Sequence, residues 1–151
     1  MPLVSRFLIR TALLQFAVGA TIGSLMLAEK GLRVAPWLWT LRPAHIQMML
    51  LGWTVQLACG VAIWILPRLD AAGGRGNLGL AWLGYGALNA GVALAALQLP
   101  LAGLLGQGRL GWMPPLAGLL YLVALAAMVA HLWRRVLPFR SLPRPRRPGE
   151  G

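Results

Sequence analysis

Leu41-Arg42-Pro43-Ala44-His45-Ile46-Gln47-Met48-Met49-Leu50-Leu51-Gly52-Trp53-Thr54-Val55-Gln56 opens a stretch that runs on to Pro67-Arg68. It decides the fold. Pro43 to Pro67 gives 25 residues without Asp, Glu, Lys or Arg, and about 20 apolar residues cross the hydrocarbon core of a bilayer as a helix. His45 stands at the start of that run. An ionisable side chain at membrane depth is costly, which makes it a functional-site candidate. A neutral imidazole is also the commonest metal ligand.

On either side the same pattern repeats. Uncharged runs cover Thr11 to Ala28 (18 residues), Gly76 to Gly108 (33) and Leu110 to Trp133 (24). Only 11% of the 151 residues are charged and 58% are hydrophobic, with a mean hydropathy of +0.69; a soluble domain would carry about 25% charge. The expected fold is therefore an all-α membrane protein, a four-transmembrane-helix bundle. Its spans fall near 8–28, 43–66, 79–103 and 113–135, in one domain over 1–137. The third run exceeds one helix, and Pro100 with Gly103, Gly106 and Gly108 is expected to supply its exit loop. Residues 138–151, rich in proline and arginine, read as a basic extension beside anionic lipid headgroups.

The net charge of +11 has a topological meaning rather than a nucleic-acid one. Basic residues concentrate on the cytoplasmic flanks of membrane spans. With both termini inside, the inner face carries ten (Arg6, Arg10, Arg68, Arg75 and six from Arg134 onward) and the outer face four (Lys30, Arg33, Arg42, Arg109). The orientation is N-in, C-in. Trp37, Trp39 and Trp112 then fall in an outer interfacial belt and Trp133 in an inner one. The apolar core of the first span exceeds the 7–15 residues of a signal-peptide core, so it reads as a retained anchor. Cys59 stands alone, which excludes a disulfide and a cysteine metal cluster and fits a buried inert thiol. Arginine outnumbers lysine thirteen to one, a composition of GC-rich, bacterial genomes, so the bacterial inner membrane is the expected location.

Within the second span His45, Met49, Gly52, Gln56 and Gly60 are spaced by 4, 3, 4 and 4 residues and share one helical face. A flat macrocycle could lie on such a stripe, since glycine leaves room where a side chain would collide. The same stripe could equally be a packing groove for a neighbouring helix. Gly19 with Gly23, and Gly86 with Ala90, form small-residue steps that let helices approach closely and suggest a homodimer or a larger complex. Gln56, Asn89 and Gln98 read as interhelical hydrogen-bonding groups. The loop at Gly73-Gly74-Arg75-Gly76 is a turn, not a phosphate cradle, because it lacks a strand–loop–helix setting.

Leu41-Arg42-Pro43-Ala44-His45, with Gly52 and the terminal Pro67-Arg68, resembles the second transmembrane helix of the haem–copper oxidase central subunit. The likeness is to the cbb3-type oxidase and its nitric oxide reductase relatives, and it covers about 28 of the 151 residues. It implies that His45 is an axial, metal-binding ligand of a low-spin haem b on the outer side of the membrane. The family's catalytic subunit has about twelve helices and six histidine ligands. This chain has two histidines, so no copper centre and no oxygen reduction are expected from it alone. The uncharged runs hold no carboxylate for a proton relay or a transporter pathway. What the resemblance leaves is one haem site, serving electron transfer or supporting a respiratory oxidase; the competing class is a cofactor-free structural or assembly subunit.

His131 is not expected to share that iron. His45 lies about two residues into its span and His131 about eighteen into its own, a difference in depth of roughly 24 Å at the helical rise. Candidate second ligands at the right depth are His45 of a second chain, Met26 and Met113, or a residue of a respiratory-complex partner. Arg42, with Arg33 or Lys30, could pair with haem propionates. Membrane lipid is the remaining expected partner.

Overall fold

The computed structural model describes residues 1–67, 76–133 and 135–136. It contains four helices long and apolar enough to cross a membrane: α1 (Leu3–Leu32), α2 (Pro36–Ile65), α3 (Leu78–Leu105) and α4 (Met113–Trp133). No strand occurs among the described residues. The chain is thus an all-α, multi-pass membrane protein. The turn at Gly73–Arg75, Arg134 and the basic tail at 138–151 lie outside the described residues.

Each helix end has a local cause. The α1 helix runs past the uncharged stretch to Leu32 and stops at Arg33, which takes a left-handed φ of 55°. Its amide donates to the Glu29 carbonyl at 2.8 Å. The buried Glu29 carboxylate folds over the turn and accepts the Val34 and Ala35 amides at 2.9 and 2.7 Å. These charge-assisted bonds are among the stronger kinds. The next helix starts at Pro36 as a 3-10 turn, and its α-helical part starts at Arg42-Pro43; proline suits both starts, having no amide to satisfy. In α3 the Asn77 side chain caps the first turn by accepting the Gly79 amide at 2.9 Å.

Two features depart from the sequence expectation. The third helix takes in Pro100 and Gly103, both expected in its exit loop; it runs two residues beyond the expected 103, to Leu105, and ends at Gly106, whose φ of 91° favours glycine. Membrane helices tolerate an internal proline, so the left-handed backbone, not the proline, ends this one. The second departure is in α2, which changes from α-helix (Arg42–Gln47) to π-helix (Met48–Val55) and back (Gln56–Ile65). Within the π segment the Thr54 hydroxyl donates to the Met49 carbonyl at 3.0 Å.

The helices alternate in direction, and α1 pairs with α2 as α3 pairs with α4. One cluster at the end where α1 begins joins Val4, Leu8, Ile63, Ala81 and Met128; another at the opposite end joins Ala102, Leu110 and Met113. Large apolar residues face outward along every helix, among them Leu14, Leu27, Leu122 and Leu125. For a water-soluble bundle that surface would be a liability. Against hydrocarbon it is the matching surface.

Candidate functional site

The stripe on α2 faces α1. Gly60 meets Leu8 and Ile9, and its carbonyl accepts the Ser5 hydroxyl at 2.6 Å. Gln56, fully buried, donates from Nε2 to the Leu8 carbonyl at 3.1 Å. Gly52 lies directly under the Gln15 amide, in the space a Cβ would need. Met49 packs on Gly19, and the His45 ring packs on Gly23, where a Cβ would come within 2.5 Å of Cε1 and 2.9 Å of Nδ1. Gly19 and Gly23 therefore serve packing inside the protomer. Gly86 has nothing near its Cβ position and, like Ala90, is exposed.

His45 is held by one directed bond: Nδ1 lies 2.8 Å from the Gly19 carbonyl. A carbonyl only accepts, so Nδ1 carries a proton, and in the neutral ring the lone pair sits on Nε2. No hydrogen bond to Nε2 occurs among the described residues. An imidazole fixed through one nitrogen by a backbone carbonyl, with the other nitrogen unprotonated, is the usual arrangement of a metal-bound histidine. The ring borders an open cleft of about 270 Å³ with Gly23, Met26, Leu27, Lys30 and Trp39.

The structure brings three of the expected residues together at this cleft, His45, Met26 and Lys30. It does not bring the others. Met113 is buried with Ala102 and Leu110 beside the α3–α4 turn, Arg42 is exposed on the first turn of the α-helical part of α2, and Gly52 is covered by Gln15. His131 lies at the opposite end of the bundle, its Nδ1 3.0 Å from the carbonyl of Asn77, where α3 begins. For a haem, the fit is that of one axial ligand rather than an enclosed pocket. The cleft falls below the roughly 300–1,000 Å³ of ordinary small-molecule sites, and α1 fills the stripe below His45. Among the described residues no three His, Cys, Asp or Glu side chains come together as a metal site.

A second polar layer crosses the middle of the bundle. Gln15 of α1 donates to Asn89 of α3 at 2.6 Å, Asn89 donates to the Tyr85 carbonyl at 2.8 Å, and the Tyr85 and Thr11 hydroxyls share a bond of 3.1 Å. Tyr121 of α4 donates to Gln47 of α2 at 3.0 Å. Arg135 reaches the end of α2, donating to the carbonyls of Ile63, Leu66 and Pro67 at 3.1, 2.6 and 3.2 Å. A guanidinium on a helix C-terminus satisfies orphan carbonyls and the helix dipole together. Sequence reading flagged Asn89 and Gln56 but missed Gln15, Gln47, Glu29 and Arg135 as structural groups. Gln98, expected to join them, makes no side-chain bond among the described residues.

The chain matches no protein-family model, and no similar curated protein or solved structure is found.

Proposed function

We propose that this chain is a small membrane protein related to the haem–copper oxidase central subunit, offering His45 as one axial ligand of a b-type haem. One observation carries the reading: the 2.8 Å bond from Nδ1 to the Gly19 carbonyl selects, for the neutral ring, the tautomer whose lone pair is on Nε2, at a cleft that Met26 also lines. A haem held there would supply one-electron transfer, in support of a respiratory oxidase. His45 would hold the iron, Lys30 the negative charge of a propionate, and Met26, or His45 of a second chain, the other axial position. Because the cleft is shallow, a homodimer or a respiratory-complex subunit has to cover the group. The basic-residue asymmetry supports an N-in, C-in orientation and puts His45 at the outer side of a bacterial inner membrane.

A specific observation favours a second reading. α1 already fills the face from Met49 to Gly60, as a packing groove requires, and a cofactor-free structural or assembly subunit needs nothing more. A pyridine haemochrome assay on the detergent-purified chain, expressed with ample haem, separates the two. Under the haem reading the wild type shows a Soret band, His45→Ala loses it and His131→Ala keeps it. A colourless wild type overturns that reading and leaves the structural one.

A further inference from the structure

Between α2 and α4 the bundle has a second cavity, of about 270 Å³, unrelated to the His45 cleft. Leu51, Val55 and Cys59 form one wall and Tyr121, Leu125 and Met128 the other, with Leu88 of α3 behind. The walls run over nine residues on α2 (Leu51 to Cys59) and eight on α4 (Tyr121 to Met128), a height of roughly 11 Å at the helical rise. Two polar ties bracket it. Above, the Tyr121 hydroxyl donates to Gln47; below, Arg135 grips the carbonyls that end α2. Between the ties the two helices stay apart, and the inner wall on α2 includes the last residues of its π-helical segment.

We propose that this slot seats a hydrocarbon chain of a bilayer lipid. Its lining is hydrocarbon and sulfur apart from the Tyr121 hydroxyl, which Gln47 already engages. Water needs two to four polar partners to occupy a cavity, and here it has none to spare. A whole partner helix, about 10 Å across with its side chains, could lie over the mouth but not enter a cavity of about 270 Å³. The chain's own C-terminal stretch, rich in arginine and proline, is chemically wrong for it. The mouth opens sideways past Val55, Leu122 and Leu125, which are 39%, 65% and 62% exposed, at the middle of the spans and so at hydrocarbon depth. A void left empty there forfeits the dispersion contacts of its walls. A cavity of about 150 Å³ already admits benzene, so this one is roomy enough for a length of polymethylene, and its elongated form suits a chain better than a compact ring.

The test uses the full chain in nanodiscs of phosphatidylethanolamine and phosphatidylglycerol, doped with a phosphatidylcholine carrying a diazirine in its acyl chain. After irradiation, mass spectrometry locates the adducts. The expected result is labelling concentrated on residues 51–59 and 121–128, several-fold above the outward faces at Leu14 and Leu27. Val55→Trp, which fills the slot from α2, should lower labelling of the α4 segment several-fold; Leu125→Trp should do the same to the α2 segment if the first variant fails to fold. Labelling spread evenly over the exposed apolar faces overturns the proposal, as does labelling unchanged in a folded filler variant. Protection of these residues from the label, in a chain that migrates as a dimer in mild detergent, also overturns it, in favour of helix docking.

Discussion

Replacing Gly52 by alanine tests the α1–α2 interface where it is tightest. A Cβ at that position falls onto the Gln15 side-chain oxygen, so Gln15 has to leave, taking with it the 2.6 Å bond to Asn89. Overpacking a well-filled interior costs about 1–3 kcal/mol, and an interhelical hydrogen bond in a membrane is worth about 0.6 and at most about 1.7 kcal/mol. Helix propensity acts the other way, favouring alanine over glycine by about 0.5–1 kcal/mol. The balance is a net loss of about 1–4 kcal/mol, read as unfolding in mixed micelles titrated with SDS. Gly86→Ala is the control, because nothing lies within 4 Å of its Cβ position, and it should be neutral or slightly stabilising. In Gln15→Ala the obstacle is gone, so Gly52→Ala on that background should cost little. The coupling between the two sites then approaches the clash itself, well beyond the roughly 0.3–0.5 kcal/mol within which independent sites add. A Gly52→Ala protein at least as stable as wild type would refute the packing described here.

Gly23→Ala pushes a methyl against the His45 ring, 2.9 Å from Nδ1, and should weaken the bond to the Gly19 carbonyl; imidazole nitrogen NMR should show mixed tautomers in place of one. Glu29→Ala removes two charge-assisted bonds to the Val34 and Ala35 amides; at about 1.5–3 kcal/mol for hydrogen bonds to a charge, faster proteolysis at the α1–α2 turn is expected, while Glu29→Gln keeps an acceptor and should recover part of the loss. Arg135→Leu strips the carbonyls at the end of α2 of their cap, and hydrogen exchange should rise at the last turn of α2 and leave α1 unchanged. A reporter fused after Gly151 should be active only in the cytoplasm and one inserted near Gly106 only outside; the reverse pattern would put His45 at the inner face.

The four spans were legible because bilayer thickness acts on each run of residues separately, and a run of 25 uncharged residues answers to length alone. Partners were not legible in the same way. Which amide meets which depends on helix rotation, so Asn89 could be flagged as polar while its partner Gln15, 74 residues away, could not be chosen. Glu29 read as the first loop residue, since its use lies in folding back on amides that a hydropathy profile does not register. The π segment has no local signature in Met48–Val55. Pro100, expected in the exit loop, lies inside the third helix because the rule that proline ends helices holds less strictly in membranes.

The stripe from His45 to Gly60 reads in the sequence as either a seat for a macrocycle or a groove for a helix, and from Met49 to Gly60 the structure makes it a groove. From Met49 downward every position touches α1 through a side chain or a carbonyl. At His45 the use of α1 is different: the ring is gripped by one nitrogen and left open at the other. A purely structural histidine would lose little by exchange for asparagine, which can donate an amide N–H to the Gly19 carbonyl just as Nδ1 does. A ligand histidine cannot be so replaced, because the asparagine side chain offers no imidazole lone pair. His45→Asn should therefore keep the α1–α2 pairing, measured as resistance to SDS unfolding, under either reading. Loss of a Soret band in that folded variant would assign Nε2 a ligand's work, and a protein colourless from the start would leave Nδ1 as the only atom of the ring with a task.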